Sequence, residues 1–154
     1  MLSENAKKEI EREMAKYPEK RAVILAALHL VQKEEGWISQ DAMEEVASLL
    51  DLTPIEVREV TSFYTMFNMR PVGRHHLQVC TNLSCALMNG RGVVEYIRRK
   101  LGIDVGETTG DERFTLSTVE CLGSCGTAPM MQIGDDYHEN LSEPKIDSIL
   151  ETLK

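Results

Sequence analysis

The chain has 154 residues, 42% apolar and 27% charged, a composition that supports a packed core and excludes disorder along the whole length. Seventeen basic against 25 acidic residues give a net charge of −8. It is spread evenly (9 basic and 13 acidic through Pro71, then 8 and 12), so no basic face awaits a phosphate backbone and nucleic acid is not an expected partner.

The stretch Met1 to Lys20 is rich in Glu and Lys and lacks the apolar core of a secretion signal, which points to the cytosol. No run approaches the ~18 uncharged apolar residues of a membrane span, so direct membrane insertion is not expected. From Glu4 to Lys16 the pattern predicts a charged helix with sparse apolar positions at Ile10 and Met14, stopped by Tyr17-Pro18. Glu19 to Glu35 carries two adjoining stripes, Val23, Ala27, Leu30 and Ile24, Leu28, Val31. That width predicts a deeply buried helix, ended by Gly36. Ser39 can cap a third helix bearing Met43, Val46 and Leu50. Thr53-Pro54-Ile55-Glu56 reads as a capping box with Pro at the first helical position. The helix it opens is expected to carry Val57, Val60, Tyr64 and Phe67 on one face.

After Pro71-Val72-Gly73 the period changes. His75, Leu77 and Val79 alternate within Arg74 to Cys80, which predicts a strand. A loop is expected next, then a helix over Arg91 to Leu101 closed by Gly102. Phe114 to Glu120 and Met130 to Ile133 read as strands, with a turn at Gly134-Asp135-Asp136 and a fourth short strand near Tyr137. Ser142 caps a last helix with Ile146, Ile149, Leu150 and Leu153. The expected fold is α+β: an N-terminal helical bundle over residues 1–72, then a β-α-β-β-α unit over 73–154 with a small, open four-stranded sheet.

All four cysteines lie in this second part, as Cys80-x4-Cys85 and Cys121-x3-Cys125 with 35 residues between. Each pair follows a strand, so strand ends at one edge of the sheet bring the two loops together. A cytosolic location argues against disulfides. Zinc knuckles and redox pairs favour C-x2-C, and neither pair has that spacing. A [2Fe-2S] cluster needs four thiolates, two on each iron, and two loops of two supply them. Zinc and structural thiols stay open as alternatives. The second loop, Cys121-Leu122-Gly123-Ser124-Cys125-Gly126, has glycines that let amides turn toward an anionic centre. With four thiolates an oxidised cluster carries −2, and reduction makes it −3. Amides and the hydroxyls of Thr81, Ser84 and Ser124 can stabilise that charge.

Other candidates carry less. His75 and His76 invite a Rieske reading, but four cysteines already fill the site and neighbouring strand residues face opposite ways. His29 reads as a packed or surface histidine. Gly90-Arg91-Gly92 opens a dinucleotide fingerprint that fails at Glu95, so NAD is not expected to bind this chain. Phe63-Tyr64-Thr65-Met66-Phe67, with Met69 and Arg70, reads as core with a share in an interface.

Over nearly its whole length the sequence resembles the 24-kDa-type subunit of NADH:quinone oxidoreductase (respiratory complex I), the E-type subunit of the bacterial enzymes. The residues that carry this are Leu28-His29-Leu30-Val31-Gln32, Gly36-Trp37, Phe63 to Phe67, Pro71-Val72-Gly73, Cys80-x4-Cys85 and Glu120 to Met131. The resemblance implies a thioredoxin-like second domain holding one [2Fe-2S] cluster, with Cys80, Cys85, Cys121 and Cys125 as ligands. It also implies a flavoprotein partner that binds FMN and NADH and passes on single electrons. Other peripheral-arm subunits, and a place at the inner face of the cytoplasmic membrane through the complex, follow from the same likeness. The same module serves NAD-linked hydrogenases and formate dehydrogenases, which is the alternative assembly. A zinc-stabilised scaffold is the alternative of another class.

Overall fold

The computed structural model describes residues 2–153. The chain divides into two compact units, Met1–Pro71 and Val72–Lys154.

The first unit holds α1 (Glu4–Met14), α2 (Ile24–Glu35), α3 (Gln40–Leu50) and α4 (Pro54–Phe63). Their starts are set by short polar side chains. Ser3 and Ser39 accept from the amides of Ala6 and Ala42, each at 3.1 Å. Glu56 reaches back to accept from the Thr53 amide at 3.0 Å, closing the expected capping box. Gly36, at φ +78°, ends α2 in the left-handed conformation that glycine adopts without steric cost. Ile10, Ile24, Leu28, Val31, Ile38, Val46, Leu50 and Val57 fill the core.

Three boundaries differ from the sequence expectation. The first helix ends at Met14, not Lys16. The second opens with a 3-10 turn, Lys20–Val23, before α2 proper. The fourth stops at Phe63, so Tyr64 and Phe67 do not extend its face. Tyr64 is extended and exposed. Phe67 reaches the core through a turn closed by its amide on the Tyr64 carbonyl at 3.1 Å, with its ring 5.1 Å from that of His29. The Gln32 side chain fixes this path by donating to the Met66 carbonyl at 2.8 Å and accepting from the Asn68 amide at 2.6 Å.

The second unit runs β1 (His75–Cys80), α5 (Leu83–Leu87), α6 (Gly90–Leu101), β2 (Phe114–Val119), β3 (Met131–Ile133), β4 (Asp136–His138) and α7 (Glu143–Thr152). The sheet order is β2-β1-β3-β4. β1 and β2 are parallel, and the two remaining pairings are antiparallel. The four-stranded sheet and the α+β class match the sequence reading. Leu77, Val79, Val94, Ile97, Leu116, Met131 and Ile146 form the core of this unit. The outer side of β2 is covered by the segment before it: Gly106 donates to the Leu116 carbonyl at 2.7 Å, Leu116 to Glu107 at 3.1 Å and Thr109 to Phe114 at 2.8 Å. The expected loop after β1 contains the short helix α5, capped by Asn82.

Candidate metal centre

Strand register decides where the cysteines go. Cys80 ends β1 opposite Val119, the last residue of the parallel β2. The antiparallel β3 starts at Met131, opposite Val79. The end of β1, the end of β2 and the start of β3 therefore share one end of the sheet. The Cys80 amide donates to the Met130 carbonyl at 3.1 Å, and its thiol to the Glu120 carbonyl at 2.8 Å.

The first pair is buried. Cys80 and Cys85 pack with Ala128 and Met130, and Leu122 lies against them. Asn82 holds the short helix that carries Cys85. Its Oδ1 accepts from the Leu83 amide at 2.6 Å and its Nδ2 donates to the Glu120 carboxylate at 3.1 Å. Gly90 opens α6 directly beneath. A Cβ there would meet the carbonyl oxygens of Cys85 and Cys80 at 2.8 and 3.0 Å.

The second pair is exposed, with Cys121 and Cys125 sulfurs 4.0 Å apart. Gly123, at φ +81°, turns its amide onto the Cys121 sulfur at 3.4 Å. A 3-10 turn, Cys125–Thr127, and a cis Ala128–Pro129 bond lead into β3.

Burial pushes the Cys85 thiol up, and the neighbouring Cys80 and Cys125 sulfurs push the same way, while the Met130 amide pulls it down. Cys85 interacts with Cys80 of its own pair and electrostatically with Cys125 of the other, so the two cysteine pairs that the sequence singled out lie at the same end of the sheet. None is in a disulfide. Among the described residues no group of three or more His, Cys, Asp and Glu side chains stands close enough to hold a metal ion as the side chains are placed. Four thiols standing as two pairs, with backbone amides turned toward sulfur in each, fit a binuclear cluster with two thiolates per iron.

A sequence profile described as thioredoxin-like [2Fe-2S] ferredoxin matches residues 10–154. The chain belongs to the thioredoxin-like [2Fe-2S] ferredoxin family. Relatives of this ferredoxin include the second E-type subunit of NADH-quinone oxidoreductase from Rhizobium meliloti (strain 1021), 47% identical over 148 residues that cover 96% of this chain and 88% of that one. The E-type subunit of the same oxidoreductase from Rickettsia prowazekii (strain Madrid E) is 45% identical over 139 residues, covering 88% and 78%. Among solved structures, NAD+-reducing [NiFe]-hydrogenase in its H2-reduced state superposes with a TM-score of 0.74 at 23% identity. The match covers 84% of this chain and 22% of the hydrogenase chain, and it speaks to the fold alone.

Other sequence candidates of this ferredoxin lie elsewhere. His75 and His76 sit at the start of β1, about 16 and 13 Å from Cys80 by strand rise. The His76 ring is 2.6 Å from the Ser117 hydroxyl, and the His75 ring packs by that of Phe114. Two hydroxyls expected to face the centre are used otherwise: Thr81 donates to the Val119 carbonyl at 3.3 Å, and Ser124 to the Glu139 carboxylate. Sequence reasoning missed Glu139, which stands in a Tyr-His-Glu-Asn stretch with no motif to mark it.

Proposed function

We propose that this chain is an electron-carrying subunit of an NADH:quinone oxidoreductase, with two domains, 1–72 and 73–154, and one [2Fe-2S] cluster held by Cys80, Cys85, Cys121 and Cys125. When bound, the cluster supplies a one-electron couple and makes or breaks no substrate bond. The chain's own residues hold it. The buried pair, Cys80 and Cys85, fixes the inner side through β1 and α5, and the exposed pair, Cys121 and Cys125, leaves the outer side at the surface, where a partner's flavin can approach. Amides of Gly123 and Met130 offer donors to thiolate charge. The observation that carries the reading is the convergence of two thiol pairs at one end of the sheet. Identity of 47% to a quinone oxidoreductase subunit supports this assembly over the hydrogenase, whose likeness is 23%.

The electron donor in this reading is the FMN of a partner flavoprotein that also binds NADH, and other peripheral-arm subunits complete the assembly. Among the described residues no helix is long and apolar enough to cross a membrane; in this reading attachment to the inner face of the cytoplasmic membrane runs through those partners. Anaerobic purification of the full chain should give about two irons and two sulfides per chain and an EPR signal on reduction. Replacing any of the four cysteines by Ser should lower iron content and change the spectrum. Alone the chain should not reduce ferricyanide with NADH, and co-expression with the FMN- and NADH-binding flavoprotein should restore that activity. One zinc per chain, or NADH oxidation by the flavin-free chain, would overturn the proposal.

A further inference from the structure

The β3–β4 hairpin leaves the metal centre and returns to it. Met131 lies opposite His138, and the turn at Gly134-Asp135 is the far end of the hairpin. The segment after β4 then meets the second cysteine loop along its length. Tyr137 donates its hydroxyl to the Leu122 carbonyl at 2.7 Å. The Asn140 amide donates to the Thr127 carbonyl at 2.7 Å and the Leu141 amide to Pro129 at 2.9 Å. At the middle of this belt is one side chain, half-buried Glu139. A single oxygen, Oε1, accepts from the Ser124 hydroxyl and from the Thr127 hydroxyl, the latter at 2.6 Å. Those hydroxyls flank Cys125 and are 2.7 Å from each other.

We propose that Glu139 is a positioning residue for the second cysteine loop and a fixed negative charge that opposes reduction of the group held there. The inference rests on the cluster reading above. Two features of the surroundings give the charge its weight. No Lys or Arg occurs in residues 80–90 or 114–141, so the loops themselves offer no cation to offset it. Lys145 is the nearby cation: its Nζ binds the Glu139 backbone carbonyl at 2.6 Å, and from there its charge also favours the ionised carboxyl, so it offsets part of the negative charge without a direct hydrogen bond to the carboxylate. The two hydroxyl donors also hold the Glu139 carboxyl below the usual carboxylate range, which keeps it ionised at neutral pH. Reduction brings one more negative charge into this setting, and a carboxylate one residue's reach from Cys125 disfavours it.

Two substitutions separate position from charge. Glu139→Gln keeps an oxygen for Ser124 and Thr127 and removes the charge. Its reduction equilibrium should move toward the reduced form by about threefold to tenfold, roughly 30–60 mV upward, with wild-type iron content and EPR line shape. Glu139→Ala removes the acceptor as well. It should raise the potential, change the EPR g-values and release iron to a chelator about tenfold faster. Asp135→Asn makes the same change in net charge at the far turn and should move the equilibrium less than twofold. A second readout needs no cluster. In the reduced, iron-free chain, amide exchange at Thr127, Asn140 and Leu141 should speed up about tenfold in Glu139→Ala and stay near wild type in Glu139→Gln.

An unmoved potential in Glu139→Gln, or a shift no larger than that of Asp135→Asn, overturns the charge role. Equal exchange rates in Glu139→Ala and wild type overturn the positioning role. Wild-type chain without iron refutes the cluster reading instead, and amide exchange then still decides what Glu139 does for the loop.

Discussion

Gly90→Ala tests how tightly the first cysteine loop is seated. Gly90 begins α6 at an ordinary helical position, and Ala there would on propensity alone stabilise a helix by up to about 1 kcal/mol. The added methyl, however, would stand 2.8 Å from the Cys85 carbonyl oxygen, 3.0 Å from that of Cys80 and 3.0 Å from the Cys85 carbonyl carbon. All three are backbone atoms, so relief needs a shift of about half an ångström in the loop that carries both inner thiols. Forcing such a shift in close-packed structure costs about 1–3 kcal/mol, which outweighs the helix gain. The expected net loss is about 0.5–2 kcal/mol, measured as a drop in urea midpoint at unchanged m-value. Iron content should fall or the EPR g-values should change in the same variant, because Cys80 and Cys85 move with their carbonyls. Gly92→Ala is the internal control. Its methyl would meet the side chain of Asn89, which makes no cap hydrogen bond and can rotate away. It should leave stability within about 0.5 kcal/mol of wild type or raise it. If Gly90→Ala matches Gly92→Ala in stability and holds iron with unchanged spectra, the close approach at Gly90 is not a constraint on the site.

Asn82→Asp retains an oxygen for the Leu83 amide and sets a second carboxylate against that of Glu120. The potential should fall by about 20–60 mV in an EPR-monitored titration, less at high salt, and a rise with iron intact would refute this. His76 is held below its ordinary 6.5 by burial. Its neutral form is favoured in the fold, so the unfolded chain takes up the proton first and stability should fall as pH drops below about 6.5, levelling once the folded histidine also titrates. His76→Gln should flatten that slope in urea unfolding between pH 5 and 7, and an unchanged slope would show that other groups set it.

Much of the architecture was legible because its signals are local. The Ser39 cap, the Thr53–Glu56 box, the glycine after α2 and the switch from helical to alternating period each act within a few residues, whereas Ser142 stands at the start of α7 without the expected side-chain cap. The cysteine spacing marked all four candidate ligands. What escaped reading depends on partners distant in sequence. The end of α4 at Phe63 has no Gly or Pro to announce it; Gln32, more than thirty residues away, takes the hydrogen bonds of Met66 and Asn68 and redirects the chain. Asn82 lies in the stretch expected to be a loop after the first strand, yet it caps α5 and binds Glu120 across the sheet end. A Lys placed there would add charge and also remove a cap, so its effect on the potential mixes two causes. Glu139 is invisible for the same reason, since its role exists only once β4 has paired with β3.

The segment laid along the outer side of β2 has a consequence for the chain before it meets any partner. An open sheet presents a row of unpaired amides and carbonyls to which a foreign strand can add. On this side Gly106, Glu107 and Thr109 already occupy those groups of Leu116 and Phe114. At the opposite margin β4 offers three residues that include Asp136, too short and too charged a template for growth. Newly made copies of this domain therefore have little means of stacking edge to edge, and a chain that must wait for iron, sulfide and a partner is protected from its neighbours in the interval.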